Sequence, residues 1–266
     1  MTIESRWLLF LIGWALAAAI QLVLYLRQRR THDATAVDAG WAVSLVGIAA
    51  LYALLAPGSL AHRVLIASMV GLENLRIARL VLARVGTGED ERYRELRQRW
   101  RARGREQMRF FAFFQAQAFL AAVLSIPILL VAFDPGPRLG VLAWAGAALW
   151  LVAATLERAA DRQLRRFKAD RANQGKTLRT GLWHYSRHPN YFFQWLTWVA
   201  YALVALEAPY GWLGLIAPAL MLYLVLFVTG VPPAEQSSLR SRGEDYRRYQ
   251  RETSAFVPWF PRERRA

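Results

Sequence analysis

Apolar residues fall in long blocks along this chain, and charged residues are confined to the segments between them. Seven blocks can be traced, at 7–26, 40–57, 64–84, 110–133, 139 to about 157, from 191 and from 211. Blocks of this length suit a ~30 Å hydrocarbon layer crossed at ~1.5 Å per residue. Turn formers mark the joints, Asp134-Pro135-Gly136-Pro137 after the fourth block and Glu207-Ala208-Pro209-Tyr210 between the sixth and seventh. The pattern predicts an all-α, polytopic membrane helical bundle with about seven transmembrane helices. The third block has the lowest hydropathy because it carries Glu73, Arg76 and Arg79. The first is long, runs into Arg27-Gln28-Arg29-Arg30 and precedes no Ala-x-Ala site, so it reads as a span and not as a cleaved leader.

Charge adds orientation. The segments 27–38, 84–109, 158–188 and 229–266 hold 29 of the 34 Lys and Arg, whereas the opposite-side segments hold only Arg6, Arg63 and Arg138. Such a bias predicts an outside N terminus and a cytoplasmic C terminus. It also accounts for the net charge of +15 through topology and anionic lipid rather than nucleic acid. The absence of cysteine excludes disulfides, thiolate metal sites and Cys nucleophiles. With no repeat or low-complexity linker, residues 1–266 read as one membrane domain, with a three-helix part at 1–110 and the chemistry-bearing part at 111–266.

Common catalytic signatures are missing. Gly86-Thr87-Gly88 lacks the later glycine of a dinucleotide fingerprint, there is no Walker loop or nucleophile elbow, and His32, His62, His184 and His188 form no HExxH pattern. Three other features carry chemistry. Glu157, Asp161, Arg165 and Lys168 follow one another down roughly one helix face. They suit ribose hydroxyls and phosphates, or equally a solvated, salt-bridged helix end. The run Gly181-Leu182-Trp183-His184-Tyr185-Ser186-Arg187-His188-Pro189-Asn190-Tyr191 places Pro189 in a helix's first turn. Free N–H groups there, with Arg187 beside them, offer a phosphate site or an interfacial anchor. Within the spans, Glu73 lies one turn from Arg76, with Asp38 at the mouth of the second block. A charge at membrane depth costs at least ~2.5 kcal/mol, so these form either a functional acid or a locking ion pair. Tyr246 and Tyr249 share a helical face, and the closing Phe256-Val257-Pro258-Trp259-Phe260-Pro261 suits a flap on the bilayer.

The segment 160–168, the Gly-Leu-Trp-x-x-Ser-Arg-His-Pro-Asn-Tyr run and the Tyr-x-x-Tyr-x-x-x-Thr-x-x-Phe-x-Pro-Trp-x-Pro ending together resemble the bacterial branch of the steroid 5α-reductase-like membrane family. The resemblance is strong over about 157–262 and weaker over 35–115. It implies a seven-helix reductase in the bacterial cytoplasmic membrane, with NADPH bound from the cytosolic side. The substrate it implies is a lipophilic enone such as a 3-oxo-4-ene steroid. Carried over, cofactor contacts fall on Glu157, Asp161, Arg165, Lys168, Asn190 and Gln194, joined by Arg179, Arg187, His188, Tyr191, Tyr246 and Tyr249. The family's substrate-side acid and tyrosine fall near Asp38 and Glu73, which become the candidate catalytic acids. Phe193-Gln194 stands where many relatives have Gly-Glu, and Glu73 where steroid-acting members have tyrosine, so the enone's identity stays open. A neighbouring group, the isoprenylcysteine and phospholipid methyltransferases using S-adenosylmethionine, shares Arg-His-Pro-x-Tyr. Of its paired glutamates only Glu235, after Ala234, is present here. A non-enzymatic lipid-binding relative is the third reading.

Overall fold

The computed structural model describes residues 2–261 and is helical throughout, with no strand among the described residues. Five helical stretches are long and apolar enough to cross a membrane: Arg6–Thr31, Ala36–Leu55, Glu106–Ala132, Val141–Ala169 and the apolar part of Gly211–Glu252. Two apolar helices fall short of that standard. Leu60–Leu82 carries Arg63, Glu73, Arg76 and Arg79, and Pro189–Ala205 has 17 residues.

The chain divides into two compact units, 1–144 with 203–214, and 145–202 with 215–266. In the first, α1 (Arg6–Thr31) begins at Ser5, whose hydroxyl accepts the Leu8 N–H at 3.2 Å. Its buried residues Leu9, Gly13, Ala17, Gln21, Tyr25 and Gln28 recur every three or four positions, making one inward stripe. The rest of α1 is apolar and exposed, from Trp7 to Leu26, as a lipid-facing surface requires. Small residues let α2 (Ala36–Leu55) approach closely: a Cβ on Gly13 would lie 2.8 Å from the Tyr52 hydroxyl. The turn into α3 (Leu60–Leu82) is pinned by Gly58 N–H to Ala132 O at 3.1 Å and Ser59 N–H to Asp134 O at 2.8 Å.

Next comes the short amphipathic α4 (Glu91–Arg101), which buries only Tyr93 and Arg97. Arg97 donates to Glu89 at 2.8 and 3.0 Å, to Glu106 at 2.5 Å and to Gln28 at 3.2 Å, so one guanidinium ties α1, α4 and the following helix. The block expected as one helix over 110–133 is two, α5 (Glu106–Leu124) and α6 (Ile126–Ala132). Pro127 in the first turn of α6 brings no N–H to the Val123 carbonyl, and at the break the Ser125 hydroxyl donates to the Ala122 carbonyl at 2.7 Å.

The second unit contains α7 (Val141–Ala169) from residue 145, the single turn α8 (Leu182–Tyr185), α9 (Pro189–Ala205) to residue 202, α10 (Ile216–Tyr223) and α11 (Val231–Glu252). Between α10 and α11 the apolar run ends in a widened turn at Leu224–Val228, closed by Thr229 N–H to Leu224 O at 2.7 Å. From Pro232 to Arg251 the chain is mostly polar, and it turns apolar again at 256–260. Gly243 kinks α11 with φ 53° and ψ −122°.

Candidate functional site

Three segments of the second unit build one cavity of about 520 Å³: the end of α7 with its following loop, the 183–191 turn, and α11. That volume suits a cofactor-sized ligand. The loop is positioned by Trp183, whose indole N–H donates to Ala160 O at 3.0 Å, and by Gln163, which accepts Leu182 N–H at 3.0 Å. Gly181 makes the latter approach with φ 61°, and a Cβ there would sit 2.7 Å from the Gln163 amide oxygen. As expected from its sequence, α9 starts at Pro189.

Aromatic surface comes from Phe167, Trp183, Tyr191, Tyr246 and Tyr249, and positive charge from Lys168, Arg171, Lys176, Arg187 and Arg242. Asp170 is the one acid among the lining residues, and its carboxylate caps the next turn by accepting Ala172 N–H at 2.9 Å. Tyr249 is buried and donates to the carbonyls of Trp183 and Ser186. Burial pushes the Tyr246 phenol up to about 12. Both rings are therefore neutral walls.

Of the twelve expected cofactor residues, the structure brings seven to this cavity: Lys168, Arg187, His188, Asn190, Tyr191, Tyr246 and Tyr249. Asp161 stands behind Asn190, accepting its amide N–H at 3.2 Å. The Asn190 amide oxygen is buried without a hydrogen-bond partner among the described residues. Glu157 is buried on α7, Arg165 is exposed on the same helix, and Gln194 sits one turn past Asn190 on α9; none of the three lines the cavity. Arg179 is engaged elsewhere, with Asp245 at 2.7 Å and Glu252 at 3.2 Å, tying its loop to α11.

Arg187 has a different task from the one its motif suggests. Its guanidinium donates to Glu235 at 2.7 Å and to the carbonyls of Thr253 at 2.7 Å and Gln250 at 2.9 Å. Its backbone N–H reaches Ser254 O at 2.9 Å, while the Ser186 hydroxyl bonds Phe256 O at 2.8 Å and Trp259 N–H bonds Tyr185 O at 2.9 Å. The tail is thus strapped to the 185–187 turn. Glu235 is consumed by Arg187, by His188 at 3.4 Å and by the Gln250 amide at 2.8 Å. Burial pushes its carboxyl up, but the His188 and Arg187 contacts outweigh this and hold it at about 2. His188 stacks flat on Tyr191, with centroids 5.4 Å apart.

The two candidate acids belong to the first unit. Glu73 is 2% exposed and accepts Arg76 N–H groups at 2.5 and 3.1 Å, an ion pair one turn long. Asp38 accepts the Tyr93 hydroxyl at 2.6 Å and Arg92 at 3.0 Å. Sequence reasoning had not placed Arg242, Lys176 or the serines 237, 238 and 241 in a site. On α11, residues 237 and 238 stand three to five positions from 241 and 242, about one turn, which is a weak signal, and Lys176 in the loop after α7 carried none.

A family model described as "Protein of unknown function (DUF1295)" matches residues 24–253. No curated protein and no solved structure matches the chain.

Proposed function

The chain belongs to the DUF1295 family, and on that footing we propose that it is an integral membrane reductase that uses NADPH to reduce a conjugated C=C bond in a membrane-soluble enone. One observation carries this reading: the aromatic-walled, cation-rich cavity of about 520 Å³ in the second unit. Its residues fit a dinucleotide. Trp183, Tyr191 and Tyr246 offer ring faces, Lys168, Arg171, Lys176 and Arg242 offer charge for phosphates, and the unpartnered Asn190 oxygen can accept from an amide or a ribose hydroxyl. When bound, the cofactor supplies a hydride to the β-carbon. Asp161 orients the Asn190 amide, and Arg187 ties the tail to the turn whose residues 187 and 188 line the cavity.

The relation of this family to steroid 5α-reductase-like proteins supports seven passes, with Leu60–Leu82 and Pro189–Ala205 crossing beside the five longer stretches. It also supports a cytoplasmic face for the cation-rich loops, in the bacterial cytoplasmic membrane. In the first unit the Tyr93 hydroxyl is spent on Asp38, and burial and the neighbouring Asp38 charge push its phenol up. Glu73 is left to its ion pair with Arg76. Methyl transfer ranks second because Glu235 is already taken up by three donors.

The test is turnover of purified protein on a panel of lipid enones, with NADPH deuterated at the transferring position. The reading expects a product carrying one deuterium on the β-carbon. Absence of labelled product from steroid, quinone-like and fatty enones alike would count against it.

A further inference from the structure

Where α4 hands over to α5, residues 99–109 carry five arginines and one acid. That acid, Glu106, is already in use: it accepts from Arg97 at 2.5 Å, from Arg101 at 3.0 Å and from the Gln107 amide at 3.3 Å. Arg103 and Arg105 are exposed, and neither side chain has an ion pair or a hydrogen bond among the described residues. An open cavity of about 770 Å³ forms at this corner, lined by Arg101, Gly104, Arg105, Glu106, Gln107 and Met108. Gly104 turns the chain there with φ 64°.

The depth of the corner follows from the sequence. Glu106–Ala132 is long and apolar enough to cross a membrane, and Arg109 is the last charge within it. The cavity therefore lies at headgroup level, where this span meets water. From it an exposed strip runs along α5 through Met108, Phe111 and Phe119, and the exposed Ala112 and Ala116 leave room for a hydrocarbon chain beside the rings. The unpaired arginines call for an anion, and the strip calls for hydrocarbon. A choline or ethanolamine headgroup brings its own cation and leaves the surplus of arginine standing, so the match is to a phosphodiester of net negative charge.

We propose that the α4–α5 corner binds one anionic phospholipid. Its phosphodiester is held by Arg105 and by the outer nitrogens of Arg101, whose Nε goes to Glu106. One acyl chain lies along Met108, Phe111 and Phe119. The site belongs to the first unit and is independent of the dinucleotide reading.

The test is native mass spectrometry of the full chain, delipidated in a neutral detergent and titrated with dioleoylphosphatidylglycerol or dioleoylphosphatidylcholine. The first phosphatidylglycerol should bind at least about 10-fold more tightly than the first phosphatidylcholine, and Arg105→Gln should weaken it about 10- to 100-fold, the range of a hydrogen bond to a charged group. Arg105→Lys should weaken it less. Arg79→Gln is the control, since it removes another exposed arginine, in the last turn of α3. Diffuse attraction to anionic lipid is worth about fivefold per cation, so its loss should not exceed that. Met108→Ser should cost about threefold or more through lost apolar contact. Equal losses in Arg79→Gln and Arg105→Gln, equal affinity for the two lipids, or unchanged binding by Arg105→Gln would each overturn the site. Displacement of the lipid by an equal concentration of chain-free glycerophosphoglycerol would give the corner to a soluble phosphodiester and overturn it too. Arg105→Gln should melt with the parent protein; a lowered melt would make Arg105 a structural residue and remove it as a free ligand.

Discussion

Arg187→Ala isolates what the strap does. The Arg187 side chain is 11% exposed and its Glu235 partner 18%, so the pair is shielded from solvent on both sides. Truncation removes the ion pair at 2.7 Å and leaves the carbonyls of Gln250 and Thr253 without their donor. Breaking a buried pair from one side costs about 3–5 kcal/mol, because the surviving charge is stranded. Here His188 and Gln250 still reach Glu235 and partly compensate, which places the expected loss near the lower figure, about 3 kcal/mol. Hydrogen exchange in detergent or nanodiscs reads it directly. The amide of Thr253, which donates to Tyr249 O, should exchange about 100-fold faster in the variant, whereas amides within α2 should not change. Arg187→Lys keeps charge but loses the fork, and should fall between. Unaltered protection at 250–256 in Arg187→Ala would refute the strap and return Arg187 to the pool of free phosphate ligands.

Other consequences follow from the same contacts. The Glu235 carboxyl is depressed to about 2 from 4.5, so its contribution is fully present above 4.5 and is lost as pH falls toward 2; the tail's protection factors, with intrinsic amide exchange divided out at each pH, should be flat from neutrality to 4.5 and fall only below, and a fall already near neutral pH would contradict this. Tyr249→Phe leaves the Trp183 and Ser186 carbonyls unpaired in a buried place and should cost about 1–3 kcal/mol in a detergent melt. Glu73→Gln takes the paired carboxylate from the Arg76 guanidinium and should lower the melting temperature; an unchanged melt would show that the pair does not lock the helix. Gly58→Ala would place a Cβ 2.3 Å from Ala132 O, so an unchanged melt would deny the pinned turn between α2 and α3.

The helices were legible where one local signal decided them. Apolar length gave α1, α2 and α7, and Pro189 fixed the start of α9 to the residue. Leu60–Leu82 was legible in spite of its charges, because Glu73 and Arg76 neutralise each other within one turn. The break at Ser125 was not, since periodicity weighs the apolar residues on either side of Pro127 alike. Nor was α4, whose eleven residues bury only Tyr93 and Arg97.

The site was legible in outline. Lys168, Asn190, Tyr191, Tyr246 and Tyr249 meet around one cavity. What spacing could not supply was the pairing of charges far apart in sequence. Arg187 finds Glu235 and the tail carbonyls, and Arg179 finds Asp245 and Glu252.

The most direct check on the account is a hydrogen-exchange map of the protein in nanodiscs, with and without saturating NADPH. Protection should rise in 168–191 and 234–249 and nowhere in α1 or α2. No ligand-dependent change in those two segments, or protection confined to residues outside them, would contradict the placement of the nucleotide.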